Sequence, residues 1–464
     1  MSLVSGFLMA RLLVPADFGV VAMASTLTAF VATFRGFGFS MALVQADQVA
    51  EDDLERLYRI GLRYTLWLGV GMLVAAPLLA RAYHEPRLTA VLIAVTAGSV
   101  AMSLAELPEA MATRAMQFAD LRRIEIASVA VGMVIGLVSA WLGASYWALV
   151  MQNTATALVR AAMTWRLVTW RPRRGGAATH TPHAMLGFAR HYAATNVVTF
   201  AAQNVDRVTL ALSSGAYSMG LYDLAYRWGH YPVWQLYPPL LNVAVAGLSR
   251  ARADETMYRH YWRTALLLIL SAMLPALTFF AIESRAFILT LLGRGWTDAI
   301  VVFRYVTIGA MALALTRHTR WLFLSEGRTE AQLRMSVMQF VVTAVAMLIG
   351  MRWQVMGIAI AYAASRWLLV VPELALAFSA SPVTWGDYGR VVWRPMLASV
   401  LAGVALLAAS ASLPEVPVQR LALAAALYLG TYVAAWLVLP GGVRALRELM
   451  GVAQRMREHV GGTD

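Results

Sequence analysis

The 464-residue sequence contains no cysteine and no lysine; all 38 of its basic residues are arginine. Without cysteine there can be no disulfide, thiol nucleophile, zinc–thiolate centre or iron–sulfur ligation. Charge is scarce as well. Only 14% of residues are charged, against about 25% in an ordinary globular domain. What stands in their place is apolar: 60% hydrophobic residues and a mean hydropathy of +0.62. These residues gather into runs of about 20, the length at which a helix crosses a bilayer. The sequence therefore reads as an all-α polytopic membrane protein. The exclusive use of arginine reads as GC-rich coding rather than a functional demand. The formal charge of +13 fits loops facing anionic lipid better than it fits nucleic acid.

Taken in order, residues 3–14 are apolar but too short to span, and no signal-peptide n-region precedes them. They read as the second half of a helix. Residues 20–44 form the first full span, interrupted by Arg35, and a polar link with a DDLER cluster covers 45–59. Further spans fall at 61–83, 88–111, 124–142 and 146–168. The Pro-, Gly- and Arg-rich stretch 169–183 suits a cytoplasmic linker. The second half has spans at 184–212, 220–245, 261–282, 299–324, 333–351 and 355–378, followed by a pair at 391–413 and 421–439. Pro232, Pro238 and Pro239 predict a kink in 220–245. The tail 441–460 has an apolar face and reads as an interfacial helix. The expectation is about 14 transmembrane helices, the first one truncated. They divide into an N-terminal helical lobe (1–168), a cytoplasmic linker (169–183), a C-terminal helical lobe (184–378), an additional helix pair (379–440) and an amphipathic cytoplasmic tail (441–464).

Two stretches echo each other. ARLLVPADFGVVAMA at 10–24 and NVDRVTLALSSGAYSMGLYDLAYR at 204–227 both run from an apolar helix through a small-residue turn, an aromatic or Met, and Gly into a second apolar helix. Aligning Gly19 with Gly220 also aligns Ala24 with Ala225. The chain thus reads as two similar halves. Arginines concentrate in alternate loops: Arg56, Arg122, Arg171, Arg173, Arg174, Arg252 and Arg447 belong to the richer set, and Arg11, Arg81, Arg87, Arg285, Arg294, Arg352 and Arg420 to the poorer. The positive-inside rule then puts the N-terminus in the cytoplasm. Six spans in each half give both lobes the same orientation, related by a pseudo-two-fold along the membrane normal.

RLLVPADFGVVAMA, followed by FRGFGFSMALVQ at 34–45, resembles the polysaccharide and oligosaccharide flippases of the multidrug/oligosaccharidyl-lipid/polysaccharide exporter superfamily. So do NVDRVTLALSSGAYSMGLYDLAYR and LLGRGWTDA at 291–299, and the likeness covers nearly the whole chain. It is nearest to the lipopolysaccharide-biosynthesis and exopolysaccharide-exporter branch, whose members usually carry a longer N-terminus that completes the first helix. The resemblance implies two six-helix lobes around a central cavity, with a further helix pair. It also implies transport of undecaprenyl-pyrophosphate-linked sugar repeats across the bacterial inner membrane by alternating access. The implied partners are that lipid-linked oligosaccharide, membrane lipids, and polysaccharide polymerase and chain-length machinery. No nucleic acid, metal or cofactor is implied.

A pyrophosphate head needs cations, and the planar arginine fork can donate two bonds at once. Charges within spans are unfavourable by a few kcal/mol and face a cavity or a partner. The cationic candidates are therefore Arg35, Arg190, Arg207, Arg227, Arg304, Arg317 and Arg366; except for Arg35, Arg207 and Arg227, these also fit snorkelling near a helix end. The candidates for coupling or ion pairing are Asp206, Glu106, Glu109 and Asp223, with Glu373 open to either use. A turn centred near 216.5 would place Asp206 and Arg227 at one depth, level for pairing. The HxxH of His180 and His183 has no acidic helix around it and does not read as a metal site; His230 and His318 read as helix-interface residues. Trp228, Tyr231, Trp234 and Tyr237 recur at helical spacing, suited to packing or to stacking on sugars. No P-loop occurs, so no ATPase is built in. Rival readings are a drug or small-molecule exporter of the same superfamily, a lipid II flippase, and a membrane polysaccharide polymerase or ligase. The arginine excess counts against the first rival, and the short outer loops count against an enzyme.

Overall fold

The computed structural model describes residues 2–33, 51–172, 183–443 and 445, with the side chains of 2–4, 31–33, 51–53, 183–199, 202, 203, 242 and 329 outside the description. Among the described residues all regular structure is helical. Packing divides the chain into two compact units, Met1–Asp223 and Leu224–Asp464.

The first unit contains α1 (Ser2–Leu12), α2 (Pro15–Thr33), α3 (Glu51–Ala82), α4 (Arg87–Arg114), α5 (Phe118–Trp141), α6 (Tyr146–Leu167) and most of α7 (His183–Gly229). Helix α2 opens on proline, whose fixed φ suits the first turn. The expected polar link before the second long span is instead partly helical. Helix α3 starts at Glu51, and Glu55 and Arg59 pair across one turn at 2.6 Å. Charged residues four apart support a helix as well as apolar ones do, and a hydropathy reading does not register that support.

Helix α7 is a single element only by hydrogen-bond continuity. Gly215, at φ 72° and ψ −178°, breaks it into two arms. Residues 16 apart in a straight helix would be about 24 Å apart, yet Arg207 and Asp223 lie 3.2 Å from each other. The arms therefore fold back as a hairpin. Its turn needs the positive φ that glycine adopts without a Cβ penalty.

The second unit continues through α8 (Tyr231–Arg250), α9 (Glu255–Ile282), α10 (Ser284–Leu291), α11 (Ala299–Thr316), α12 (Thr319–Glu326), α13 (Thr329–Gly350), α14 (Gln354–Phe378), α15 (Trp385–Ala408) and α16 (Pro417–Val438). Its core is built on α9, where Tyr258, Trp262, Leu266 and Leu270 are buried together with Trp321 and Phe323 of α12. Asp254 caps α9 by accepting from the backbone N–H groups of Thr256 and Met257. Two expected spans are broken. The 220–245 span divides at Gly229–His230, just ahead of Pro232, while Pro238 and Pro239 lie inside α8; 299–324 divides at Arg317–His318 between α11 and α12.

The final helix pair is tied to α9. Thr384 and Asp387 form a capping box at the start of α15, and the buried Asp387 also pairs with Arg263 of α9. Glu283, just past the end of α9, accepts two bonds from Arg420 of α16 at 2.9 and 3.1 Å. Eight helical segments among the described residues are long and apolar enough to cross a membrane, and the protein is a polytopic membrane protein. The expected interfacial helix of the tail lies, beyond its first residues, outside the described residues.

Candidate functional site

In the first unit the charged residues of the hairpin close on one another. Arg207 pairs with Asp223 at 3.2 Å, and its Nη1 reaches Asn204 Oδ1 at 3.4 Å. Tyr222 donates its hydroxyl to Asp206 Oδ2 at 2.6 Å, and Asp206 is only 4% exposed. The turn centre is Gly215, not a point near 216.5, and that shift moves every facing position by three residues. It takes Asp206 out of level with Arg227 and brings Arg207 level with Asp223. Arg227 lies exposed on the second arm.

The two repeated turns meet. A Cβ on Gly19 of α2 would stand 1.7 Å from the Ala216 carbonyl oxygen, and one on Gly220 would stand 1.8 Å from the Pro15 carbonyl oxygen. Gly19 and Gly220, aligned by the sequence repeat, thus lie on two helices that cross at backbone contact, as small residues permit within membranes. Next to this crossing, the buried Asp17 accepts from the Ser145 hydroxyl at 2.5 Å. On α4, Glu109 is paired with Arg160 of α6, and Glu106 lies one turn away, half-buried.

In the second unit, Arg304 is exposed near the start of α11 and its Nε donates to Ser284 Oγ at 3.2 Å. Arg317, at the α11–α12 break, holds its guanidinium over the Tyr237 ring, 4.9 Å from the centroid. Arg366 of α14 lies over Tyr362 at 5.5 Å. Such cation–π placement orients a guanidinium against the ring face. Tyr237 is stacked on Trp321, and the Tyr362 hydroxyl meets Nε2 of the buried His230 at 2.6 Å. On α14, the buried Glu373 accepts from the Gln339 amide of α13 at 2.6 Å.

The structure thus brings Asp206, Arg207 and Asp223 together on the hairpin and holds Arg317 and Arg366 each over a tyrosine ring. Arg35, the side chain of Arg190 and His180 lie outside the described residues. Of the four aromatics at helical spacing, Trp228 and Tyr237 are buried and Trp234 is exposed. Both Gln339 and the His230–Tyr362 bond escaped the sequence reading. A single amide in the apolar run SVMQFVV was the available signal for Gln339. His318 is buried among Trp262, Trp321, Phe378 and Tyr388, an interface residue as expected.

The helix order and packing define a multi-span helical membrane fold. The same fold is seen in the structure of Lipid II flippase MurJ in an inward closed conformation. The TM-score is 0.75 at 11% identity, covering 94% of this chain and 96% of that one. The chain belongs to the polysaccharide biosynthesis protein family, whose model matches residues 8–301. It is 21% identical over 357 residues to Lipopolysaccharide biosynthesis protein WzxC of Escherichia coli (strain K12), covering 75% of this chain and 71% of that protein. It is 24% identical over 319 residues to Succinoglycan biosynthesis transport protein ExoT of Rhizobium meliloti (strain 1021), covering 66% of this chain and 61% of that protein. The chain therefore spans less than two thirds of the ExoT length. These likenesses place it among polysaccharide-biosynthesis proteins.

Proposed function

We propose that the protein translocates undecaprenyl-pyrophosphate-linked oligosaccharide repeat units across the bacterial inner membrane by alternating access, in surface-polysaccharide synthesis. Its family, and the names of the relatives it resembles, support polysaccharide export. The structural observation that carries the reading is the pair Arg317 and Arg366, each held over a tyrosine ring. Two fixed guanidiniums suit the two phosphates of a pyrophosphate head, and neighbouring aromatic faces suit sugars. Arg35 and Arg207 are further candidates for the cationic path. A polysaccharide polymerase and chain-length machinery would take the cargo on the outer side. No step calls for a catalytic residue or a cofactor.

The likeness to a lipid II flippase is one of fold alone, and a drug exporter would favour acidic rather than arginine-bearing walls. The test is a leaflet-sidedness assay in a strain lacking the gene. Undecaprenyl-linked repeat units should accumulate on the cytoplasmic side, and the wild-type gene should restore export, but genes carrying Arg35→Ala or Arg366→Ala should not. Normal polymer with unchanged lipid-linked pools, and no second flippase present, would falsify the reading and bring drug export to the front.

A further inference from the structure

His230 sits at the break between α7 and α8 and is fully buried. Both of its ring nitrogens are engaged. Nδ1 lies 2.9 Å from the Tyr226 carbonyl oxygen, and Nε2 lies 2.6 Å from the Tyr362 hydroxyl of α14. A carbonyl oxygen only accepts, so Nδ1 carries the hydrogen. In the neutral imidazole Nε2 is then an acceptor, and the Tyr362 hydroxyl donates to it. The imidazole also stacks on the Tyr226 ring, with centroids 4.0 Å apart and planes 22° apart. The backbone just before it is equally confined, since a Cβ on Gly229 would stand 2.9 Å from Thr307 Oγ1 of α11. The acceptor offered to Tyr362 therefore has a fixed place.

The Tyr362 ring is confined from other sides as well. A Cβ on Gly309 of α11 would stand 2.5 Å from its Cε1 and 2.7 Å from its Cδ1, so the ring fills the space that this glycine leaves. Tyr226 meets it edge-on, with centroids 5.6 Å apart. The Arg366 guanidinium lies over the same ring, 5.5 Å from its centroid, and Arg366 follows Tyr362 by one turn of α14. A ring pinned at its hydroxyl tip gives the guanidinium one resting place. A planar donor set in place beforehand loses less freedom when an anion arrives.

We propose that His230 is a positioning residue for anionic cargo: by accepting the Tyr362 hydroxyl it fixes the ring on which Arg366 lies, and so aims Arg366 at a cargo phosphate. This rests on the flippase reading given above, in which Arg366 meets the pyrophosphate head, and adds to it the pair that holds that arginine ready. The chain of contacts runs from His230 to Tyr362 to Arg366, side chain to side chain, within the second unit. In this role His230 acts through Tyr362 and need not touch the cargo. Breaking the first link leaves the cation on its helix but frees its direction.

The experiment is calorimetric titration of inorganic pyrophosphate into the purified full-length protein. Wild type is compared with Tyr362→Phe, His230→Ala, their double variant and His230→Gln. Tyr362→Phe keeps the ring and removes one oxygen, so it reports on the bond even if His230→Ala does not fold. Each single change should weaken binding about three- to tenfold, the effect of one neutral hydrogen bond. The double variant should bind no more weakly than the weaker single, because both changes break the same bond. His230→Gln offers an amide oxygen to Tyr362 and should recover most of the loss. In an Arg366→Ala background, where Arg317 carries what binding remains, Tyr362→Phe should have no further effect; a merely structural role would weaken both backgrounds alike. If that background binds nothing measurable, the additivity of the two single changes decides. Unchanged binding in Tyr362→Phe, additive losses, or equal weakening with and without Arg366 overturns the proposal. So does an absence of pyrophosphate binding to wild type. Export of lipid-linked sugar that is normal in Tyr362→Phe, with unchanged pyrophosphate binding, overturns this inference alone. Pyrophosphate binding that depends on His230, Tyr362 and Arg366 as expected, with an unchanged leaflet distribution in the strain lacking the gene, overturns the transport reading alone.

Discussion

Gly19 and Gly220 occupy matching places in the two copies of the repeated turn, and their helices cross with backbone against backbone. Each would drive a Cβ into a carbonyl oxygen on the other segment, at 1.7 and 1.8 Å respectively. Backbone cannot swing aside as a flexible side chain can.

Gly19→Ala and Gly220→Ala are therefore expected to lower the thermal midpoint of the purified protein, consistent with overpacking penalties of about 1–3 kcal/mol. The control is Gly61→Ala on α3, where an added Cβ meets nothing within 4 Å. There the change should be neutral or stabilising, because alanine outranks glycine in a helix by about 1 kcal/mol. Equal responses at the three positions would contradict the crossing.

The Arg207–Asp223 pair makes a second prediction. Both side chains are largely buried, and removing one partner of a buried pair typically costs about 3–5 kcal/mol. Arg207→Ala and Asp223→Ala should each lower the unfolding midpoint strongly, and the exchanged double variant Arg207→Asp/Asp223→Arg should recover part of the loss. The corresponding exchange of Asp206 with Arg227 should give no recovery. Asp206→Asn should be milder than Asp206→Ala, since an amide oxygen can still accept from Tyr222.

These two cases mark what the sequence could and could not reveal. The long helices were legible because about 20 apolar residues in a row admit few alternatives. The Gly19–Gly220 correspondence was legible too, as a repeat, although nothing in it said that the two glycines would meet. The hairpin register was misread by three residues because the string SSGAYS offers several turn centres, and only the backbone at Gly215 selects one. The breaks at His230 and at Arg317–His318 left no trace in hydropathy. The Gln339–Glu373 contact joins residues 34 apart in sequence, and no local pattern encodes such a meeting.

The loop before α4 predicts a pH dependence. Arg87 donates to both oxygens of Glu85, at 2.7 and 2.8 Å. Mainly through these bonds it holds the Glu85 carboxyl below its ordinary value. A depressed native pKa contributes stability that is present above the usual glutamate value of about 4.5 and lost as pH falls through the native one. Glu85→Gln should therefore unfold earlier than wild type at neutral pH, with the gap closing in acid. A gap that persists or widens below that range would refute the assignment.

Transport itself should separate charge from geometry at Arg317. Arg317→Lys keeps the cation but loses the planar fork, and should retain part of the export that Arg317→Ala abolishes. Tyr237→Phe keeps the ring under the guanidinium and should export nearly normally, whereas Tyr237→Ala should not. Surface polymer measured per cell, at matched protein levels, reads all four.

The final two helices are fastened to α9 at two points, Arg263 with Asp387 within its first third and Glu283 with Arg420 just past its end. At a rise of 1.5 Å per residue those points lie about 30 Å apart along the helix. Two ion pairs set that far apart resist sliding of the helix pair along α9. In the transport cycle proposed above, a movement of α9 would draw α15 and α16 along with it, adding bulk to the moving part.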